Sequence, residues 1–381
     1  MVIDSGLEGL EFTETSLSAI NGAQGQLSFC GYMLTDLGEK ASYEEVSFLV
    51  WSKRLPTAVE LDKHSQWLTE NRPLPKPVWG IMHVLPDKAE PMEALRTVAS
   101  ALSTFDRSEN YLSNGHLALC QSVSLTAKLP TIVASFDRLR HSLPPIEPNQ
   151  DLGHATNFLY MLAGREPDPM DARALETYLT MLADHGMNPS TFSARVTTSA
   201  LGDIYSAIVT ALGTLKGPLH GGATEASMQQ LEDIGTPGNV DSWLDKQMSD
   251  DRRIMGFGHR VYRVEDPRAT ILRRLASEVC DRTGNSHWYM IAARLEERVL
   301  TEPYFRKRSL FTNVDFYTGP LLTGLGIPKD LFTSVFAVAR ISGWTAHVLE
   351  QRENNRLIRP RARYRGPGTR SWSSLTERSS S

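Results

Sequence analysis

Four short polar motifs stand in stretches of the chain that are otherwise rich in glycine or apolar residues. They carry His185 in ADHGMNPSTF, His220 in GPLHGGA, His259 in MGFGHRVYRVEDPR and Asp315 in TNVDFYTGP. Each histidine is next to a glycine, and histidine is the side chain that most often acts as a general acid or base. Apolar neighbours disfavour the charged form of an aspartate, which makes Asp315 a better base than a solvated carboxylate.

These residues also have plainer interpretations. A lone histidine is more often structural, and an aspartate such as Asp315 is often a helix N-cap or a turn residue. The charged segment 255–268 fits a solvated surface turn as well as a site. The four motifs are far apart along the chain, so no single helix brings them together. Only the tertiary fold decides between one shared site and four separate local roles.

Arginine accompanies these motifs, and Arg268 lies within the His259 motif itself. A guanidinium group binds planar carboxylates and phosphates through paired hydrogen bonds. The combined set predicts acid–base chemistry on a polycarboxylate and leaves a phosphate-bearing cofactor open. A metal site would need a compact ligand pair such as HExxH, which the sequence lacks, so no metal is expected.

The composition excludes several classes of protein. The chain has 381 residues, 41% of them hydrophobic and 22% charged, as in ordinary globular proteins of two or three domains. A net charge of −4 argues against nucleic-acid binding, and we see no apolar run long enough to cross a bilayer. Three scattered cysteines and an acidic N-terminus, unlike that of a signal peptide, predict a cytoplasmic protein.

Apolar periodicity predicts a mainly α-helical protein. Helical spacing recurs in the windows 92–105, 171–185, 201–215 and 332–350, and Ser42 with Glu45 forms a capping-box pattern before another helix. In the window 171–185, Tyr178 lies on the apolar face and Gly186 follows as the expected stop. Short alternating stretches at residues 10–13 and 26–29 predict small strands or a hairpin.

Two glycine clusters suggest hinges. They lie at residues 213–222 and 319–328, at the two ends of a segment of about one hundred residues, which suits an inserted domain that moves against the rest. The serine-rich end of the chain, from about residue 366, is expected to fray.

The ordered motifs resemble those of the citrate synthase family over residues 6–367. GLEG, SYEEVSFLVW, ADHGMNPSTFSAR, GPLHGGA, GFGHRVYRVEDPRA, NVDFYTG and NNRLIRPRARY occur in the family's order. The resemblance implies an all-α, two-domain helical fold with a small N-terminal β-hairpin region. It also implies a large domain of residues 1–216 and 326–381, a small mobile domain of residues 217–325, and a homodimer.

The resemblance further implies a reaction, the first step of the tricarboxylic acid cycle. Acetyl-CoA condenses with oxaloacetate, and citryl-CoA is hydrolysed to citrate and CoA. Asp315 would remove a proton from the acetyl methyl group, His220 would hydrogen-bond the thioester oxygen, and His259 would donate to the ketone oxygen of oxaloacetate.

Two further sets of residues are implied to hold the substrates, and no permanently bound cofactor is implied. The oxaloacetate set, in which Arg359 comes from the second subunit, is His185, Arg268, Arg340, Arg359 and Arg72. The CoA set, whose cations would lie near the phosphates, is Arg253, Ile254, Met255, Gly256, Phe257, Arg263 and Arg361.

The chain departs from the family pattern in two places and leaves alternatives open. Cys30 stands where many members have arginine, and the tail after Tyr364 lacks their acidic, apolar ending. The close alternative is 2-methylcitrate synthase, because one extra methylene on the acyl group changes pocket binding by only about 1–3 kcal/mol. A non-catalytic helical dimer is the alternative from another class.

Overall fold

A computed structural model describes residues 6–7, 9–106, 115–375 and 378. Within that part of the chain there are seventeen α-helices and one small sheet, which confirms the all-α prediction. The first nine helices are α1 (Leu34–Lys40), α2 (Tyr43–Ser52), α3 (Ala58–Glu70), α4 (Lys76–Val84), α5 (Pro91–Phe105), α6 (Gly115–Arg140), α7 (His154–Ala163), α8 (Pro169–Leu182) and α9 (Pro189–Ser199). The other eight are α10 (Ile204–Leu215), α11 (Ala223–Ile234), α12 (Val240–Ser249), α13 (Pro267–Thr283), α14 (Ser286–Thr301), α15 (Pro303–Lys307), α16 (Val314–Gly324) and α17 (Phe332–Glu353).

The sheet is antiparallel and has the order β1 (Ser18–Asn21), β2 (Gln26–Phe29), β3 (Tyr32–Met33). The predicted strand at residues 26–29 is confirmed, and the one at residues 10–13 is wrong. Residues 10–13 have no neighbouring strand to pair with: Phe12 packs edge-on against Phe192 of α9, with ring centroids 5.0 Å apart. The following residues are held by Glu350, which accepts from the Ser16 amide at 2.8 Å.

The helix boundaries follow local caps. The capping box of α2 is confirmed, since Ser42 Oγ accepts from the Glu45 amide and the Glu45 carboxylate accepts from the Ser42 amide. α8 ends at Leu182, earlier than predicted, and Gly186 lies beyond it in a turn with φ +54°. α10 begins only after Asp203, whose side chain caps it.

α17 forms the centre of the core. It is buried on all sides over most of its length and packs against α6, α8, α9, α10 and α2. A Cβ at Gly343 would lie 2.1 Å from the Ala183 carbonyl oxygen, so the helix can approach the end of α8 only with glycine there. This close approach brings α17 side chains to the turn that carries His185.

One sequence expectation about membranes needs a correction. Within the described residues, the stretch His116–Arg140 is long and apolar enough to span a bilayer by length and composition alone. Its apolar window is 67% buried inside the protein, where α6 packs against α17, α5 and α7. A core helix passes the same test as a membrane span, and packing accounts for its apolar composition.

The end of the chain forms no helix or strand in the residues that the structure describes after Glu353. Residues 359–372 are exposed along their whole length. Residues 376–377 and 379–381 of the tail that was expected to fray lie outside the described residues, as do residues 1–5 of the first predicted domain.

Candidate active site

Six of the predicted residues, His185, His220, His259, Arg268, Asp315 and Arg340, come from separate parts of the chain and lie close enough to act electrostatically on one another; we call the space between them the cleft. His185 lies in the turn after α8, and His220 lies in the turn before α11. His259 belongs to the loop that leads into α13, Arg268 is in the first turn of α13, and Asp315 is in the first turn of α16. Contacts described below join these residues to one another.

Two of the histidines share an aromatic cluster with Tyr262. The ring centroids of His185 and His259 are 5.3 Å apart, and those of His259 and Tyr262 are 4.7 Å apart. His185 Nε2 lies 3.2 Å from the Tyr262 hydroxyl oxygen. Burial and then the neighbouring Arg268 hold the pKa of His185 well below its usual value, so this ring is neutral at pH 7.

The tautomer of His259 follows from its main-chain contacts. Its Nδ1 accepts from the amides of Val261 at 3.0 Å and Tyr262 at 3.2 Å. An amide N–H can only donate, so Nδ1 carries no proton and the neutral ring has its proton on Nε2. Burial, followed by the charge of Arg268, lowers the pKa of His259 to about 4. At neutral pH His259 is therefore an uncharged donor through Nε2.

His220 is attached to the opposite wall. Its Nε2 lies 2.8 Å from Ser190 Oγ, which also accepts from Trp344 Nε1 at 3.1 Å and lies 2.7 Å from Asn188 Oδ1. Burial and then Arg340 lower the pKa of His220 to about 4. Since Nε2 is engaged by Ser190, Nδ1 is the nitrogen that remains for a ligand.

Asp315 does not cap its helix. Asn313 is the N-cap of α16 and accepts from the Asp315 amide at 3.0 Å, so the cap interpretation of Asp315 is wrong. One carboxylate oxygen of Asp315 accepts from Thr224 Oγ1 at 2.7 Å. Desolvation raises the pKa of Asp315 above its ordinary value, and the bond from Thr224 and the charge of Arg268 only partly offset this.

The two buried arginines are fixed by different partners. Arg268 donates from Nε and Nη2 to the two oxygens of Asp266, at 2.9 and 2.8 Å. Arg340 of α17 donates from Nε to the Leu182 carbonyl oxygen at 2.6 Å. Burial lowers the pKa of Arg340 to about 10, which leaves it charged at neutral pH. The cleft therefore holds two cations beside three neutral histidines.

Glycine shapes the loop that presents His259. Gly256 and Gly258 have φ values of +85° and +87°, and a Cβ at Gly256 would lie 2.6 Å from Phe316 Cδ2. The Gly256 carbonyl accepts from the Asn313 amide at 2.9 Å, and Phe257 forms a bridge to Thr312. These main-chain bonds hold the His259 loop against the start of α16, which carries Asp315.

The segment expected to hold CoA adjoins this loop. Ile254 and Phe257 are buried, and the main chain of Met255 exchanges two hydrogen bonds with the Gln230 side chain of α11, at 2.6 and 3.1 Å. The side chains of Arg253 and Arg263 are exposed. They lie close enough to act electrostatically on Asp315 and His259, respectively.

Three arginines of the predicted set are not brought into the cleft within this chain. Arg72 is buried and donates from Nη1 to the carbonyl oxygens of Asn149 and Leu152, at 2.8 and 2.7 Å. Two main-chain carbonyls thus hold its Nη1, while its Nε has no hydrogen-bond partner among the described residues. Arg359 and Arg361 are exposed on the extended segment after α17.

The four sequence motifs do not include a buried network that lies behind the cleft and is centred on His347 of α17. His347 Nδ1 accepts from Arg195 at 2.8 and 3.1 Å, so the proton lies on Nε2, which faces Asp184 Oδ1 at 3.1 Å. Although burial alone raises the pKa of Asp184, His347 and Arg340 lower it to about 2. The spacing of Arg340 and His347, two helical turns apart, was the available signal.

Comparisons with known proteins identify the family to which the chain belongs. The family model described as "Citrate synthase, C-terminal domain" matches residues 6–361. The citrate synthase of Haloferax volcanii is 44% identical over 377 residues, which cover 98% of each chain. The 2-methylcitrate synthase of Mycobacterium tuberculosis (strain H37Rv) is 39% identical over 373 residues, 96% of this chain and 93% of that one.

A solved structure shares the whole fold. It is a ternary complex of carboxymethyl coenzyme A and oxaloacetate with the citrate synthase of Thermoplasma acidophilum. It aligns with a TM-score of 0.94 and 31% identity, covering 99% of this chain and 100% of that one. The resemblance read from the motifs is thereby confirmed, and the chain belongs to the citrate synthase family.

Proposed function

We propose that this chain condenses acetyl-CoA with oxaloacetate and hydrolyses the resulting citryl-CoA to citrate and CoA. One observation carries the proposal: a carboxyl group with a raised pKa, Asp315, shares a cleft with the neutral histidines His220 and His259 and with two buried arginines. Family membership and several citrate synthases that are 41–43% identical to the chain support the same reaction.

Asp315 would be the base that removes a proton from the acetyl methyl group. A carboxylate is too weak a base to generate a free enolate, so the thioester oxygen needs a hydrogen-bond donor at the same moment. His220 would supply it from Nδ1, which requires the Ser190 hydroxyl to donate to His220 Nε2 in place of Asn188 Oδ1, its acceptor in this structure. The raised pKa of Asp315 supports this role, because a more basic carboxylate takes the proton more readily.

His259 would donate from Nε2 to the ketone oxygen of oxaloacetate as the new carbon–carbon bond forms. Arg268 and Arg340, together with His185, would hold the carboxylates of that substrate. Asp266 uses Nε and Nη2 of Arg268, which leaves Nη1 for a carboxylate. A neutral imidazole suits this role, because its Nε2 can donate a hydrogen bond to the ketone oxygen while the ring itself stays uncharged.

Coenzyme A would lie along the main chain of residues 253–257, with Arg263 and Arg361 near its phosphates. Both CoA esters and oxaloacetate would come and go as substrates, with no permanently bound cofactor. Gly256, which has a φ of +85° and packs closely against Phe316, fixes the path of this main chain.

We further propose that residues 217–325 move as a small domain against residues 1–216 and 326–381. His259 and Asp315 lie on the first and His185 and Arg340 on the second, so closure would bring them together around the substrates. A closed cleft would keep water from the acyl group until condensation is complete.

A homodimer in the cytoplasm would complete the site with Arg359 of the second copy. The exposure of Arg359, which follows the last helix, supports this role. Arg359→Ala and Arg268→Ala should each raise the oxaloacetate requirement strongly. Mixed in equal amounts after dissociation, they should recover about a quarter of the wild-type activity, because half of the dimers contain one intact shared site. No recovery would contradict sharing.

The second candidate is 2-methylcitrate synthase activity with propionyl-CoA, which the 39% identity to such an enzyme keeps in view. The test of the first proposal is a product assay. Purified protein with acetyl-CoA and oxaloacetate should form citrate and free CoA in equal amounts, identified by mass spectrometry. Absence of free CoA with every short acyl-CoA would support the non-catalytic dimer instead.

A further inference from the structure

The hydroxyl of Tyr178 is one of several buried polar groups to which the reaction above assigns no role. Tyr178 belongs to α8 and is fully buried, and its hydroxyl oxygen has no hydrogen-bond partner among the described residues. Buried polar groups nearly always find a partner, because an unmade hydrogen bond leaves the desolvation of the group uncompensated. An unpartnered phenol in the core therefore requires an explanation.

The position of Tyr178 points to the cleft. It lies one turn before Leu182, and residues four apart on a helix share a face. The Leu182 carbonyl oxygen is the acceptor of Arg340 Nε, so this face of α8 meets the arginine that lines the cleft. The charged groups that act electrostatically on Tyr178 are Asp315, Arg340 and Arg268, all of them cleft residues.

The protonation state fixes what the hydroxyl can do. Burial, with the negative charge of Asp315 next, raises the pKa of Tyr178 far above neutral pH. The phenol thus remains protonated and can donate one hydrogen bond. The nearby cations offer no acceptor, since guanidinium groups only donate. A carboxylate lying between Arg340 and Arg268 would supply the missing acceptor.

We propose that Tyr178 is a further substrate-binding residue, whose hydroxyl donates to the oxaloacetate carboxylate held between Arg268 and Arg340. This inference rests on the proposed function, because it takes oxaloacetate as the ligand of the two arginines. Without substrate, the Tyr178 hydroxyl makes no hydrogen bond, and bound oxaloacetate supplies its acceptor. Groups of this kind favour function at the expense of stability.

The test removes only the hydroxyl. Tyr178→Phe should raise the KM and the calorimetric Kd for oxaloacetate about 10- to 100-fold, as expected for a lost hydrogen bond to a charged group. Its turnover at saturating oxaloacetate and its KM for acetyl-CoA should change little. The melting temperature of the ligand-free variant should be unchanged or higher, because no bond within the protein is lost.

Tyr43→Phe is the matched control. Tyr43 is equally buried, but its hydroxyl donates to the carbonyl oxygens of Val338 and Ala339, both at 3.1 Å. Removing that hydroxyl should lower the melting temperature and leave the oxaloacetate KM unchanged. The two tyrosines thus separate a structural hydroxyl from a substrate-binding one.

Two results would overturn the assignment of Tyr178. In the first, Tyr178→Phe leaves the oxaloacetate Kd at the wild-type value. In the second, Tyr178→Phe lowers only the turnover, which would mean that the hydroxyl acts on Asp315 and not on oxaloacetate. In either case wild-type protein still forms citrate and CoA, so the proposed function survives. If wild-type protein forms neither product, the proposed function fails before Tyr178 is tested.

Discussion

The wall of the cleft built from α8, α9 and α17 is held by bonds between buried side chains. The wall formed by residues 254–268 and 311–315 is held largely by hydrogen bonds in which its main-chain groups take part. In the first, which we call the helical wall, His347 connects Arg195 to Asp184, and Ser190 connects Trp344 to His220. These contacts join α9 and α17 to each other and to the turn after α8. The histidines there are oriented by partners distant in sequence.

The second wall, which we call the loop wall, is oriented locally. His259 Nδ1 accepts from amides two and three residues further along its own loop. The loop is attached to the start of α16 through Gly258 and Asn313, with the Gly258 amide donating to the Phe311 carbonyl at 2.7 Å. Its path depends on backbone angles that glycine adopts without strain.

The two walls therefore orient their neutral histidines in different ways. A network of side chains holds its geometry whether or not a ligand is present, while a glycine-dependent loop can adopt a second path at modest cost. We therefore expect the helical wall to be preorganised for oxaloacetate and the loop wall to be the part that adjusts on domain closure.

Removing the proposed base should have the largest effect. Asp315→Asn should lower turnover by a factor of about 10² to 10⁴, the usual contribution of a general base. Oxaloacetate affinity, measured by calorimetry, should remain near wild type because the arginines are untouched. Asp62→Asn on the exposed face of α3 is the control and should change neither quantity. Near-normal turnover in Asp315→Asn would remove Asp315 from the role of base.

Alanine at one glycine in each wall should test how each is built. Gly256→Ala introduces a Cβ 2.6 Å from Phe316 at a φ of +85°, and Gly343→Ala introduces one 2.1 Å from the Ala183 carbonyl. Each should lower the free energy of unfolding by about 1–3 kcal/mol through strain and overpacking. Urea unfolding followed by circular dichroism measures the change.

The chain offers a matched control for each glycine. Gly284 has a φ of +76° and no atom within 4 Å of the position that a Cβ would take, and Gly80 lies inside α4 with equally open space. Gly284→Ala isolates backbone strain without a clash, and Gly80→Ala should be neutral or stabilising by about 0.5–1 kcal/mol. If Gly343→Ala were as harmless as Gly80→Ala, α17 would not depend on its close approach to α8.

Removing the Ser190 hydroxyl that contacts His220 should have a smaller effect on turnover. Ser190→Ala removes the 2.8 Å contact to His220 Nε2 and the acceptor of Trp344 Nε1. Turnover should fall about 10-fold, corresponding to one hydrogen bond of about 1.4 kcal/mol in the transition state. Steady-state kinetics measures it, with exposed Ser103→Ala as the control. A loss seen only in the acetyl-CoA KM would assign Ser190 to binding.

The pH dependence should be the mildest signal. His220 and His259 have pKa values of about 4 in the folded protein and 6.5 in the unfolded chain. Their depressed values mean that stability is retained above pH 6.5 and lost as the pH falls from 6.5 towards 4, because the unfolded chain then binds more protons. The kcat/KM profile should accordingly show no histidine inflection near pH 6.5. An inflection there would mean that one of the two histidines is charged in the resting site.

Local patterns predicted most of the fold. The capping box at Ser42 and the apolar spacing of residues 92–105 and 332–350 depend on interactions within one helix, which a sequence exposes directly. The failed strand at residues 10–13 shows the limit, because alternation says nothing about whether a partner strand exists. α8 ended early for a similar reason, since its last carbonyl is taken by Arg340 from a distant helix.

The site was predictable by residue type but not by geometry. The motifs named His220, His259 and Asp315, whereas the tautomer of His259 depends on loop angles that no spacing rule gives. Helical periodicity placed Tyr178 on an apolar face and could not reveal an unpartnered hydroxyl. Substrate contact by Arg72 stays a prediction: a motif position suggested it, and in the fold Arg72 Nη1 donates to two main-chain carbonyls.

The most direct test of the central claim is kcat/KM of the purified protein for acetyl-CoA and propionyl-CoA at saturating oxaloacetate, followed by release of free CoA. We predict a clear preference for acetyl-CoA, with citrate as the product and with both activities abolished together in Asp315→Asn. A clear preference for propionyl-CoA would contradict the claim and make 2-methylcitrate the product of this cleft.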